Sequence, residues 1–193
     1  VLVSRIYQQV KRLLDLATRY GFNCNLWHDY LTFVLMMNEN SFSLTCERVG
    51  ASDGSVNHFV KADFAVFKRL FDFDFAPIEQ DLGIDCFTVL ENYTAIPKKA
   101  QMYYRTVSEK VRALSAAIAG AKDENEIFDL VTAHYRDCGV GMFGLNRAFR
   151  IQEDENGSFT LNAINNIDSV LLSDLIGYEP QKKELRQNTE AFV

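Results

Sequence analysis

The chain has 193 residues, 48% of them hydrophobic, with a formal net charge of −6 and a sequence pI of about 5.1. That apolar fraction supports a buried core and excludes a disordered chain, and the length suits one domain or a domain with an appendage. The acidity removes the basic footprint expected of a nucleic-acid-binding domain.

Leu2, Ile6, Val10, Leu13, Leu14 and Ala17 recur at helical spacing, with Arg5, Lys11 and Arg12 between them and Gly21 as a C-terminal cap. A second helix is expected from Asn25 to about Met37. It is apolar nearly all round through Leu26, Trp27, Tyr30, Leu31, Phe33 and Val34, which places it at the centre of the core. Ser41 to Val49 is ambiguous, because Phe42, Leu44 and Cys46 alternate weakly, as in a strand. Ala51 to Asn57 reads as a loop. Phe59 to Phe71 reads as a helix with Phe59, Ala62, Val66 and Leu70 on its apolar stripe, and Phe73 to Leu82 as a connector carrying Pro77.

A long helix is expected from about Lys98 to Ala119, with Val107, Val111, Leu114 and Ile118 on one face. The next helix has clear start signals. Asp123 can cap it, Glu126 stands at capping-box spacing and Glu124 suits the positive end of the dipole. Its stripe is Ile127, Leu130, Val131 and His134, and Gly139 ends it. Further on, Phe149 and Ile151 alternate with Arg150 and Gln152, and Glu155-Asn156-Gly157-Ser158 precedes Phe159 and Leu161. Asn-Gly between alternating segments predicts a β-hairpin. The expected fold is mainly α, with a helical N-terminal domain over residues 1–145, a β-hairpin and acidic linker over 146–173, and a final helix-bearing segment over 174–193. It becomes α+β if Ser41 to Val49 is a strand.

Gly139-Val140-Gly141-Met142-Phe143-Gly144 reads G-x-G-x-x-G, the spacing of a loop that cradles a dinucleotide pyrophosphate. Such a loop follows a strand and opens a helix. Here Gly139 follows a helix, a hairpin comes after Gly144, and no acidic residue can be placed to hold a ribose. The match is read as accidental, with Gly139 as a left-handed cap and Gly141 and Gly144 turning the backbone into the hairpin. A stand-alone dinucleotide-binding enzyme domain built on Gly139 to Gly144 is the alternative, and a purely structural helical interaction protein a third. No G-x-x-x-x-G-K-[ST] occurs in the chain.

Cys24 and His28 lie four apart, a metal-compatible helical spacing, but Cys46 and His58 are remote singles and no second close pair completes a zinc site. His134, with Asp137 three residues on, has no partnered nucleophile and reads as a satisfied buried histidine. Lys98, Lys99, Arg105, Lys110 and Arg112, with Tyr103 and Tyr104, make a mildly basic helix that reads as a solvated face. Phe71 to Pro97 holds acids and no Lys or Arg. From Ile151 onward eight acids face three bases, so these stretches repel phosphate backbones. Four single cysteines read as free thiols in a reducing compartment, which implies a cytoplasmic protein. The longest apolar run, Leu31 to Met37, is too short to span a bilayer. The ends at Val1 and Val193 suggest a truncated chain.

The C-terminal stretch carries the most information. Glu179 and Pro180 suit the first turn of a helix on which Leu185, Thr189 and Phe192 share a face. That helix is expected to dock on the N-terminal domain or on another copy, so that the chain is a possible homo-oligomer. Asp174-Leu-Ile-Gly-Tyr-Glu-Pro-Gln-Lys followed by Glu184-Leu-Arg-Gln-Asn-Thr-Glu-Ala-Phe resembles the segment just upstream of the Walker A loop in AAA+ ATPases. It looks especially like one bacterial group with a P-loop, domain of unknown function 815, as does Gly139-Val-Gly-Met-Phe-Gly-Leu-Asn-Arg-Ala-Phe-Arg. The resemblance implies that residues 174–193 begin an AAA+ module. Ile176, Gly177 and Tyr178 would lie on the adenine side of its nucleotide site, with Leu175 and Leu185 as packing support. ATP and magnesium would bind only in the intact parent, whose Walker and sensor groups would follow Val193. The chain itself would have no catalytic residues, no metal and no cofactor. It would serve as an accessory region for partner binding, substrate recruitment or regulation, with its own ATPase module and a protein as partners.

Overall fold

The computed structural model describes residues 1–97, 103–153, 157–164 and 171–191. The first helix, α1 (Leu2–Tyr20), ends at Gly21 in the left-handed conformation, as its sequence predicts. Helix α2 (Leu26–Met37) starts where the Asn25 side chain accepts the His28 N–H at 3.0 Å. Leu26, Leu31, Phe33, Leu35 and Met36 are all buried, so α2 is central to the core.

Ser41–Val49 is a helix, α3, not a strand. Asn40 accepts the N–H groups of Phe42 and Ser43, and Ser43 Oγ accepts the N–H of Asn40, which completes a capping box. The buried residues Ser43 and Cys46 are three apart, one helical turn, while Leu44 faces solvent.

Helix α4 (Val56–Phe71) begins inside the expected loop and is rotated from its expected phase. Phe59 is 69% exposed, and Ala62 and Val66 also face water. Its core-facing stripe is Phe64 and Phe71, both buried, with Val60, Phe67 and Leu70 partly buried beside them. At its C-terminal end the Trp27 Nε1–H donates to the Leu70 carbonyl at 2.8 Å, so α2 satisfies a carbonyl that α4 cannot.

The expected connector holds a short helix, α5 (Ala76–Leu82), with Pro77 in its first turn. Another, α6 (Cys86–Glu91), follows. Glu79 on α5 accepts the N–H groups of Phe87 and Thr88 and the Thr88 hydroxyl, which caps α6 across the intervening turn. These donors hold the Glu79 carboxyl below its ordinary value.

Helix α7 (Arg105–Gly120) starts later than expected, since Tyr103 and Tyr104 are not helical and Lys98 and Lys99 lie outside the described residues. Its stripe Val107, Val111, Leu114 and Ile118 is buried against α2. Helix α8 (Glu124–Cys138) is capped by Asp123, which accepts the N–H groups of Asn125 and Glu126. Glu126 reaches back to the Lys122 N–H, one residue beyond the capping-box partner. Helix α8 packs on α3 and α4, where Phe128 meets Phe42 and Phe64. Each such large apolar side chain stabilises the fold by about 1.5–3 kcal/mol when fully buried.

A five-residue helix, α9 (Gly141–Leu145), precedes the hairpin of β1 (Phe149–Glu153) and β2 (Phe159–Ala163). The strands are antiparallel with Ile151 opposite Leu161 and Glu153 opposite Phe159. That register leaves residues 154–158 between the paired ends, so the connection is five residues long; Asn156 lies outside the described residues. A 3-10 turn (Leu172–Asp174) and α10 (Glu179–Glu190) follow. The fold is mainly α, with ten α-helices and one hairpin among the described residues. Its buried hydrophobic side chains there all lie between Ala17 and Leu145.

Candidate functional site

Ile176, Gly177 and Tyr178 form one exposed turn between the 3-10 turn and α10. Asp174 Oδ2 accepts the Leu171 N–H at 2.8 Å and closes the 3-10 turn. Gly177 has φ 82°, and Tyr178 follows at φ 60° and ψ 30°, in the left-handed region. A non-glycine residue there costs about 1–2 kcal/mol. The turn is held from behind: Lys182 Nζ donates to the Leu175 carbonyl and pairs with Glu179 at 2.8 Å. Ile176 is 95% exposed, and Tyr178 and Leu185 are also exposed. The expected docking of α10 on the N-terminal domain is absent among the described residues. No part of α10 is buried and only Lys182 is partly covered, while Phe192 lies outside the described residues. An apolar tip on a fixed backbone, with Leu185 on the helix behind it, can lie against an apolar surface of another module.

The glycine segment is occupied by the chain's own acids. Gly139 follows α8, not a strand, and adopts φ 81° and ψ −179°. That is not the left-handed cap the sequence suggests but a region open essentially to glycine alone. Gly141, at φ 69°, lies directly under the Glu39 carboxylate, which fills the space a Cβ would take. Glu47 Oε1 is 3.0 Å from where a Cβ on Gly139 would stand, and Gly144 packs backbone to backbone on Gly139. Lys110 Nζ donates to the Gly144 carbonyl at 2.5 Å. Burial lowers the Lys110 pKa. A pyrophosphate at these glycines would face two carboxylates, and α9 stands between the glycines and the hairpin.

The other nominated residues are brought together only in part. Cys24 and Asp29 line an open cleft of about 510 Å³ between the start of α2 and α7, with Arg112 and Glu109 at its rim. Cys24 has φ 72° and pairs with Tyr93 through two 2.9 Å backbone hydrogen bonds. His28 lines the same cleft, yet its Nε2 is 2.8 Å from the Phe71 carbonyl and its ring stacks on Phe71 at 4.5 Å. A nitrogen that donates to a carbonyl is closed to a metal. Cys46 is buried and His58 stands edge-on to Phe59, and no group of three or more metal-ligating side chains occurs among the described residues.

Asp29 is the residue that sequence reasoning missed. It is 4% exposed and its Oδ2 has no hydrogen-bond partner. Burial raises its pKa, against hydrogen bonds from Ser115 and the Asn23 backbone. A lone acid in an otherwise apolar helix was the available signal.

His134 is half-buried, but its Nε2 has no partner, so it is not the satisfied histidine expected. Burial first, then the Lys110 charge, lowers its pKa to about 4, with Asp137 acting in the opposite direction. It is neutral at pH 7. Of the basic residues of α7, Arg105 pairs with Glu109 at 2.7 Å and shares a face with Arg112, which borders the cleft, while Lys110 turns inward.

Residues 145–193 match the family described as "Protein of unknown function (DUF815)". The matched stretch starts at Leu145, a buried core residue, and contains the hairpin, the exposed turn and α10. No curated protein and no solved structure matches the chain. The four cysteines are free, and no helix among the described residues is long and apolar enough to cross a membrane.

Proposed function

We propose that this chain is the N-terminal accessory region of a bacterial, cytoplasmic AAA+-type ATPase. The helical part binds a protein partner, and residues 174–193 begin the ATPase module. The observation that carries the reading is the exposed turn at Ile176-Gly177-Tyr178. It has the hydrophobic-Gly-x pattern, opens a helix, and presents an apolar tip that nothing in the described chain covers. The family match over residues 145–193 includes this turn. In this reading the turn lies against the adenine once the rest of the module is present. ATP and magnesium then bind the parent alone, because γ-phosphate positioning and charge stabilisation come from groups beyond this element.

The glutamates over Gly139 and Gly141 weigh against the alternative of a dinucleotide site. The test compares two proteins, the 193-residue chain and the chain extended through the following module. The chain is expected to show neither ATP turnover nor tight ATP binding. The extended protein hydrolyses ATP, and Ile176→Asp in it raises KM. Turnover by the chain alone, or an extension without G-x-x-x-x-G-K-[ST], would overturn the reading.

A further inference from the structure

Among the described residues the hairpin has one face that is apolar except for Glu153, and one uncharged edge strand with no partner on its outer side. Ile151, Leu161 and Phe159 share the face, with Ile151 67% and Phe159 71% exposed. At its base Phe149 packs on Phe143 of α9, with ring centroids 4.9 Å apart. The opposite face is polar, where Asn162 Nδ2 donates to Gln152 Oε1 at 2.7 Å.

The Ile164 N–H donates to Ala148 across the hairpin at 2.9 Å. By strand alternation Asn162 and Thr160 also point toward β1, and the N–H and C=O groups of Phe159, Leu161 and Ala163 point outward. An isolated two-stranded hairpin is marginal in water, and natural edge strands carry charges that block pairing. Strand β2, Phe159-Thr160-Leu161-Asn162-Ala163, carries none.

We propose that β2 pairs antiparallel with β2 of a second copy about a two-fold axis at Leu161, giving a four-stranded sheet. The strand is complementary to itself in this register. Leu161 meets Leu161 of the second copy, Phe159 meets the small Ala163, and Thr160 meets Asn162 on the polar face. The outward N–H and C=O groups then bond reciprocally at Leu161 and between Phe159 and Ala163. No like charges are brought together. Strand β1 is not self-complementary: antiparallel pairing about Ile151 would set Glu153 against Phe149 on the apolar face. The pairing doubles the apolar face and does not depend on the ATPase reading.

The mass of the 193-residue chain in solution tests this. Sedimentation equilibrium across the micromolar range should give a dimer, twice the 22.0 kDa of the single chain. Leu161→Arg places two cations at the two-fold axis and should return the mass to 22.0 kDa without loss of helical circular dichroism. In a Cys24→Ser background, Leu161→Cys should cross-link to itself under mild oxidation and Thr160→Cys should not, because Thr160 faces Asn162 of the second copy. A monomeric parent chain, a Leu161→Arg variant that stays dimeric, or equal cross-linking by the two cysteine variants would overturn the proposal.

Discussion

The Glu39 carboxylate sits over Gly141 in the volume that any side chain at that position would need, and Gly141 itself has φ 69°. Two costs therefore meet at one residue. Gly141→Ala is expected to destabilise the chain by about 1–3 kcal/mol through the backbone alone, with the Glu39 clash added. Urea unfolding of Gly141→Ala, Glu39→Ala and the double variant separates them. The double variant should recover the clash and retain the backbone cost, so a strictly additive cycle would show that Glu39 does not occupy this space.

Tyr135 Oη donates to the Leu35 carbonyl at 2.8 Å inside the core, joining α8 to α2. Burial pushes the phenol pKa well up. Tyr135→Phe is expected to cost about 0.5–1.5 kcal/mol, because the Leu35 carbonyl loses its side-chain donor and keeps only the long Asn38 N–H bond at 3.4 Å. Equilibrium denaturation with an unchanged m-value would report this as a stability change alone.

Two groups inside the helical domain, His134 and Asp29, act in opposite directions on the acid side of the stability profile. His134 has its pKa lowered from 6.5 to about 4, so the unfolded chain takes up its proton first. Its contribution is full above pH 6.5 and is lost as the pH falls toward 4. Asp29 has a raised pKa, so its contribution is lost as the pH rises above the ordinary value of 3.8. His134→Gln should therefore lose less stability than the parent chain between pH 7 and pH 4, and Asp29→Asn should lose more. Denaturant midpoints at both pH values check both signs.

Helix α10 is twelve residues long with no buried side chain, a length at which isolated helices are marginal. Its amides should exchange with deuterium far faster than those of α7 and α8, whose stripes are buried. Hydrogen exchange by mass spectrometry on residues 179–190 measures this. Protection equal to that of α8 would mean that the helix is covered in solution.

The α7 stripe and the Asp123 cap of α8 are legible in the sequence because they are local, and the same holds for α1 and its Gly21 cap. The buried face of α8, by contrast, is turned from the expected Leu130 and His134 toward Phe128, Thr132 and Tyr135, which meet α3 and α4. Strand-like alternation at Phe42, Leu44 and Cys46 concealed α3, although Asn40 with Ser43 three residues on was a capping signal. The stripe of α4 was anchored on Phe59, and the phase was set instead by Phe64, Phe67 and Phe71 meeting α8 and the start of α2, which is tertiary information. The turn at Ile176-Gly177-Tyr178 was nominated from its motif, but the left-handed Tyr178 and the Lys182 tether were not readable. The contacts that fill the glycine segment come from Glu39, Glu47 and Lys110, far away in the chain, and no spacing rule reaches that far.

The packing of α8 on α3 and α4, with its Tyr135 bond to α2, also sets an order of events during synthesis. Tyr135 and its partner Leu35 are 100 residues apart, so at about 5–20 residues per second the ribosome needs roughly 5–20 s to deliver the second after the first. Through that interval Phe42 and Phe64 wait for Phe128, whereas Trp27 and Phe33 already have their partners Phe75 and Phe22 in the first half of the domain. The last long core helix therefore closes the core, and the faces of α3 and α4 that it covers stay exposed until it is made. Codon-dependent pauses between residues 71 and 124 would lengthen their exposure.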